Sequence, residues 1–217
     1  MKKFISFSNR TITRFSLYYQ LLLKPYEKEF ISSKEIADQL GFTPEIIRKD
    51  LALLGQLGVP KKGYKVSILL EKISNVLGIN KNWNVVIIGC GKLGSALMKY
   101  PGFKKHKFSI IAGFDISKKV VNKKINGIKI YHLNNLKNFA KKHKIDIAVI
   151  TVPQEEAQTT INYVISCGIK GILNFTPAVV NPPYRSNVKI LKIDLTIEFL
   201  RLACILNTLK KYDHTKK

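Results

Sequence analysis

Three observations predict an α/β chain in which a small helical domain precedes a doubly wound parallel sheet. The first is Val85-Val86-Ile87-Ile88, a β-branched run suited to a strand buried on both faces. It leads into Gly89-Cys90-Gly91-Lys92-Leu93-Gly94, a G-x-G-x-x-G turn, and then into helical Ser95-Ala96-Leu97-Met98-Lys99. The second is the alternation of apolar runs with helical segments beyond Trp83. The third is a pair of helices joined by a short glycine turn well before it. The 217 residues leave room for two ordinary domains. The boundaries read as 1–80 for the helical domain, Asn80-Lys81-Asn82 as hinge, 81–195 for the sheet domain, 196–209 for a last helix and 210–217 for a disordered tail.

In chain order, the basic and apolar opening Met1-Lys2-Lys3-Phe4-Ile5 imitates a signal peptide, but Ser6, Ser8, Asn9 and Arg10 break it. No apolar run reaches membrane-spanning length, so no membrane partner and a cytoplasmic location are expected. Thr11 to Leu22 has helical spacing and stops before Pro25. Ser32 and Glu35 form a capping box for a second helix through Ile36, Ala37 and Leu40, ended by Gly41. Thr43 caps a third, with Pro44 at its first position, running to Leu54. Ile46, Ile47, Leu51 and Leu54 are expected to face the core, with Arg48 and Lys49 outward. Gly55 to Tyr64 reads as a tight basic hairpin. Helix-turn-helix plus hairpin is a winged arrangement that puts the third helix in a major groove and the wing on phosphates or a minor groove. The same residues also suit a small helical domain for protein contacts, with a solvated lysine loop.

Charge does not decide between these. The formal net charge is +23, yet residues 1–80 hold 13 basic and 7 acidic side chains (+6) and residues 81–217 hold 24 and 7 (+17). Only five of the 37 basic residues are arginine, which marks a general lysine drift. Cys90, Cys167 and Cys204 have no metal-ligand spacing and their odd number argues against a disulfide framework.

In the second domain Gly89 is expected to make the tight turn, Gly91 to admit a pyrophosphate and Gly94 to let helix pack on strand, with the helix N-terminus drawing the phosphate charge. A second strand, Phe108 to Phe114, ends at Asp115, 24 residues beyond Gly91 (115 − 91). A carboxylate there accepts hydrogen bonds from an adenosine ribose and repels a 2′-phosphate, favouring NAD(H); Lys118, Lys119, Lys123 and Lys124 soften that preference. The plainer reading is an Asp capping a turn. Further strands are expected at Ile128–Tyr131, Ile145–Ile150, Gly171–Phe175 and Val188–Ile193, with helices over Asn134–Lys144 and Glu155–Cys167. The strand ends Thr151-Val152-Pro153 and Asn174-Phe175-Thr176-Pro177 then fall at the mouth, where ligands of such sheets bind. The last helix shows an apolar stripe, Leu195, Phe199, Leu202, Ile205, Leu206 and Leu209, that docks either on a partner subunit or within its own. Cys90 is either a thiol with lowered pKa at a helix N-terminus, open to oxidation, or a small apolar filler.

Hydride transfer to a carbonyl needs a proton donor near the nicotinamide. None of His106, His132, His143 and His214 falls in a mouth loop, and no Tyr-x-x-x-Lys helix pair is present there. No catalytic or metal residues are therefore assigned, and a ligand-gated regulator is expected; the alternative is an NAD-dependent reductase with a helical N-terminal module.

The chain resembles the Rex family of redox-sensing transcriptional repressors over residues 10–207. The resemblance is carried by Thr11-Ile12-Thr13-Arg14 with Tyr18, Ser32-Ser33-Lys34-Glu35 with Ala37, Thr43-Pro44 and Arg48-Lys49-Asp50-Leu51. It continues through Gly63-Tyr64, the glycine motif, Tyr100-Pro101-Gly102-Phe103, Phe114-Asp115, Val152-Pro153, Gly168 to Pro177 and Asp194-Leu195-Thr196. It implies a homodimer of winged helix and Rossmann domains with a domain-swapped C-terminal helix. Such a protein binds inverted-repeat double-stranded DNA, is released when NADH binds and reports the NADH/NAD⁺ ratio. It implies cofactor contacts at Gly89 to Gly94, Asp115, Thr151 to Pro153 and Asn174 to Pro177. DNA contacts are implied at Ser33, Thr43, Pro44, Arg48, Lys49, Lys61, Lys62, Gly63 and Tyr64, and a switch at Arg14, Tyr100 and Asp194. Cys90 and Lys92 in the motif, Asp115-Ile116-Ser117, Ser16, the wing Val59-Pro60-Lys61-Lys62 and Lys65 depart from the family pattern and bear on adenosine affinity and operator preference.

Overall fold

A computed structural model describes residues 7–23, 28–182 and 186–214, with side chains as far as Thr208. The opening Met1–Ser6, Pro25 and the end of the expected tail lie outside the described residues. The chain divides into Met1–Lys81 and Asn82–Lys217.

In the first unit α1 (Asn9–Leu22) is capped by Ser8, whose hydroxyl accepts from Thr11 N–H, and buries Phe15, Tyr18, Leu21 and Leu22 at helical spacing. The Ser32–Glu35 capping box opens α2 (Ser33–Leu40), and Gly41, in the left-handed region at φ +71°, ends it. Thr43 and Pro44 open α3 (Pro44–Ala52). Ile47 and Leu51 are buried, but Ile46 faces outward, 37% exposed. Three short strands, β1 (Phe30–Ile31), β2 (Gly58–Val59) and β3 (Gly63–Lys65), form an antiparallel sheet in the order β1-β3-β2, of which β2–β3 is the wing. Two elements go beyond the sequence expectation: β1, and α4 (Val66–Leu77), which buries Leu69 and Ile73 and ends at left-handed Gly78.

The second unit holds a seven-stranded sheet in the order β10-β9-β8-β4-β5-β7-β6. Its strands are β4 (Trp83–Ile88), β5 (Phe108–Asp115), β6 (Lys124–Ile125), β7 (Ile128–His132), β8 (Ile147–Ile150), β9 (Gly171–Asn174) and β10 (Lys189–Lys192). All neighbours are parallel except β6, an antiparallel edge strand. The expected strict alternation of strand and helix fails there. Asn126 (φ +50°) and Gly127 (φ +79°) turn a two-residue hairpin from β6 into β7. Helices α5 (Lys92–Lys99), α6 (Gly102–Lys105), α7 (Leu136–Lys142) and α8 (Ala157–Ser166) complete the layers. One sheet face, with Val86, Ile88, Phe114 and Ile150, packs with Leu136, Ile161 and Val164 of α7 and α8. The other buries Val85, Ile87, Ile130 and Val149 with Cys90 and Met98.

The last helix, α9 (Leu195–His214), continues beyond Leu209 into the segment expected to be a disordered tail. Its apolar stripe is not buried within its own chain: Leu195 is 69%, Phe199 71%, Leu202 52%, Ile205 57% and Leu206 51% exposed. The reading of α9 as a core helix of the same subunit is thereby overturned.

Candidate functional site

The glycine turn follows directly from the end of β4. Gly89 donates to Phe114 O at 2.8 Å, and Thr151 N–H donates to Ile88 O at 2.9 Å, so the loop is strung between β5 and β8. Gly89 sits at φ +93°, and a Cβ there would lie 2.7 Å from Thr151 O. A Cβ on Gly94 would come within 2.0 Å of Gly89 O and 2.9 Å of the Thr151 hydroxyl, which itself donates to Gly89 O at 2.6 Å. These contacts close the strand–helix junction as the motif requires. Around Gly91, by contrast, a Cβ would meet nothing within 4 Å. No side chain caps α5 at its N-terminus, where Gly91, Lys92 and Leu93 are exposed. This geometry can cradle an anion, open where a phosphate would need room and shut where helix meets strand.

Asp115 stands at the end of β5, partly exposed. Its Oδ2 accepts Cys90 N–H at 2.6 Å and its Oδ1 accepts Ser117 N–H at 2.7 Å. The turn-capping geometry is thus present, and each oxygen keeps a second lone pair. A cleft of about 540 Å³ brings Asp115 together with Gly89, Gly91, Thr151, Val152 and Pro153. Sequence reasoning missed Glu156 and Thr160 in its wall, which belong to the segment opening α8 and carry no motif; Lys119, seen only as a nearby charge, lines it too.

The expected residues Asn174 to Pro177 do not line this cleft, although their strand end pairs beside it. Asn174 is fully buried; its side-chain oxygen accepts Thr176 N–H at 2.9 Å and its amide donates to Ala178 O. Phe175 lines a separate apolar cleft of about 180 Å³ with Val85, Val149 and Leu173. Thr176 is 2% exposed with its hydroxyl unpartnered among the described residues, and Pro177 is exposed. The Cys90 thiol lies inside, 3.6 Å from Phe114 O. Burial, aided by the Asp115 charge, pushes it up to about 12. The reactive-thiol reading fails, because low dielectric around the sulfur outweighs the helix N-terminus, and Cys90 fills space.

In the first unit Arg48 is exposed and held by Glu45 at 2.6 Å and the Ser33 hydroxyl at 3.3 Å, which sets α2 and α3 on one polar surface with Thr43, Pro44 and Lys49. In the wing, Lys62 N–H donates to Val59 O across a turn in which Lys61 takes φ +64°. Lys61 and Lys62 are exposed, Tyr64 is half-buried, and a Cβ on Gly63 would lie 2.5 Å from Ile31 O. Arg14 pairs through Nε and Nη2 with both oxygens of Asp50, at 2.6 and 2.8 Å. Asp194 pairs with Lys192 at 3.1 Å and accepts Thr196 N–H at 3.0 Å; both hold its carboxyl below the usual range, Lys192 the more strongly. Tyr100 is 58% exposed, its ring edge-on to Phe103. Among the described residues no cluster suits a metal ion, and no helix is long and apolar enough to cross a membrane.

Two family models match this layout. "Putative DNA-binding protein N-terminus" covers residues 6–52 and "CoA binding domain" residues 80–178. The "Redox-sensing transcriptional repressor Rex" of Thermosipho africanus is 38% identical over 194 residues, 88% of this chain and 92% of that one. The chain belongs to the Rex family. The Rex of Syntrophobacter fumaroxidans is likewise 38% identical, over 93% of this chain and 96% of its own length. The crystal structure of RSP, a Rex-family repressor, superposes at TM-score 0.87 with 29% identity, covering 98% of this chain and 100% of that one. RSP in complex with β-NAD⁺ and operator DNA does so at 0.87 and 30% over 98% of both chains, and with β-NADH at 0.86 and 29% over 96% and 98%. A winged N-terminal domain before a Rossmann-type sheet is therefore the shared Rex architecture, and the family is one of repressors, not enzymes.

Proposed function

We propose that this Rex-family chain is a dimeric, cytoplasmic repressor that reads an inverted repeat of double-stranded DNA and releases it when NADH occupies the Rossmann cleft, so reporting the NADH/NAD⁺ ratio. The observation that carries the reading is the pairing, in one chain, of a winged unit with a glycine cradle opening beside Asp115, in an architecture whose solved relatives hold dinucleotide and operator.

The residues fit the dinucleotide. Gly91 leaves room for the pyrophosphate at the bare start of α5, and the Asp115 lone pairs suit the ribose. Lys92 and Leu93 add backbone N–H groups at that helix start, and Thr151 to Pro153 form the opposite wall. Asn174 to Pro177 act from the neighbouring strand end, toward the nicotinamide half. Arg48 and Lys49 enter a major groove in this reading, while Ser33, Thr43, Pro44 and the wing residues Lys61 to Tyr64 take phosphates or the minor groove. The exposed stripe of α9 is exchanged onto a second subunit, and Arg14, Tyr100 and Asp194 form the switch, Asp194 bonding either the guanidinium or the phenol. A ~100-fold preference of NADH for the released state corresponds to ~2.7 kcal/mol of coupling.

The test is fluorescence anisotropy of the full-length protein on inverted-repeat duplexes at fixed salt, with NADH, NAD⁺ and NADPH titrated separately. Release by NADH alone is expected. Operator binding indifferent to all three nucleotides removes the sensing, and steady NADH turnover on a carbonyl substrate replaces the reading with a reductase.

A further inference from the structure

The recognition helix carries a charge on its inner side that the proposed DNA contacts do not use. Asp50 is 3% exposed, and its carboxylate takes three hydrogen bonds from α1: Arg14 Nε at 2.6 Å, Arg14 Nη2 at 2.8 Å and the Tyr18 hydroxyl at 2.7 Å. Arg14 and Tyr18 lie one turn apart on α1, so both grip Asp50 from one helix face. Nη2 also reaches the Thr11 hydroxyl at 3.4 Å, and that hydroxyl bonds the N-cap Ser8 at 2.9 Å. The polar chain therefore runs from the first cap of α1 to the inner side of α3.

An apolar residue at position 50 would fill the same place without the desolvation cost of a buried ion pair. What a carboxylate adds is direction. The other inward residues of α3, Ile47 and Leu51, make non-directional contacts that tolerate a roll of the helix. A bidentate Arg–carboxylate pair fixes orientation as well as distance. Arg48 and Lys49 directly precede Asp50. A roll of about 20° displaces a side-chain tip about 6 Å from the helix axis by roughly 2 Å, enough to lose a base-edge hydrogen bond.

We propose that Asp50 is a positioning residue for sequence reading: clamped by Arg14 and Tyr18, it sets the roll of α3 and hence the aim of Arg48 and Lys49. The inference rests on the DNA-binding reading above.

The full-length wild type is used to select its preferred operator from a random inverted-repeat library. Affinities for that operator and for a scrambled duplex are then measured at one salt concentration for wild type, Asp50→Asn, Arg14→Lys and Tyr18→Phe, alongside thermal unfolding. Asp50→Asn keeps the shape and removes the charge; Arg14→Lys keeps a charge opposite Asp50 and removes the fork. In both, the operator-to-scrambled ratio is expected to fall about tenfold, the size of one lost base-pair contact; in Asp50→Asn the scrambled-duplex affinity holds. Tyr18→Phe is expected to fall less. If Asp50→Asn does not fold, Tyr18→Phe decides, because Tyr18 holds Asp50 and lies outside the switch. A lowered unfolding temperature with an unchanged ratio means a merely structural role and overturns the inference alone. A wild type that selects no sequence overturns the DNA-binding reading, and the inference with it.

Discussion

In the function proposed above, the two units build recognition from different parts of the chain. In the second, the site is mostly backbone: Gly89, Gly91 and Gly94 matter for the atoms they lack, and Asp115 grips an amide of the loop. In the first, the surface is side chains on capped helices and a hairpin, with Arg48, Lys49, Lys61 and Lys62 reaching out. A backbone site fails abruptly when a Cβ is added, because neither the Gly89 carbonyl nor the strand behind it can move away. A side-chain surface fails by degrees, one contact at a time. The net charges run against intuition, +17 on the dinucleotide unit and +6 on the winged one, so the arrangement of charge and not its sum marks the reader.

The largest effect expected is on the backbone site. Gly94→Ala forces a Cβ to 2.0 Å from Gly89 O and is expected to destabilise the second unit by about 3 kcal/mol and abolish NADH binding, read by calorimetry and NADH fluorescence. Gly91→Ala sharpens the point: with open space around it, stability should stay within about 0.5 kcal/mol while NADH affinity collapses. Equal stability losses for the two variants would break the distinction between a packing glycine and a ligand-facing one.

On the side-chain surface, Arg48→Ala is expected to cost about 1–3 kcal/mol of operator affinity and relax preference at one base pair. Lys61→Ala should weaken operator and scrambled DNA alike and lower the salt slope by about 1. Lys61 sits at φ +64°, so Lys61→Gly should leave the unfolding temperature unchanged or raised while DNA binding still falls. Binding retained in Lys61→Gly would remove the wing tip from the interface.

The smallest effect is on the cap of α2. Lys28, then the Ser32 amide, hold the Glu35 carboxyl down to about 2. A depressed carboxyl contributes stability that is present above its ordinary value of 4.5 and lost as pH falls toward 2. Glu35→Gln should flatten that acid limb of the unfolding curve by under about 1 kcal/mol, since both partners are partly exposed and screened.

Where a structural feature arises from neighbours in sequence, it was legible. The Ser32–Glu35 box, Thr43-Pro44, Gly41 and the strand–glycine–helix run all appear where their residue types demand, and the cleft gathers Gly89, Gly91, Asp115 and Thr151 to Pro153. Two local signals were present and unused. Val66, Leu69, Leu70 and Ile73 have helical spacing before Gly78, and Asn126-Gly127 is a hairpin turn. Other features are not local at all. A two-residue strand such as β1 has no period to detect, and it exists because Phe30 and Ile31 pair with Lys65 and Tyr64. Ile46 points outward because the packing of α3 turns Ile47, Asp50 and Leu51 inward, a choice that helical spacing allows but does not make.

Taken by itself, the sequence determined the two-part α/β plan, the caps, the glycine loop and the register of Asp115, because each depends on backbone preferences or spacings within a few residues. Only the tertiary structure decided that Arg14 meets Asp50 across 36 positions, that Cys90 is sealed inside and that Asn174 to Pro177 do not line the Asp115 cleft. It also decided that the stripe of α9 stays uncovered by its own chain. These outcomes depend on which surfaces meet once elements far apart in sequence have packed, and no spacing of neighbouring residues encodes that meeting.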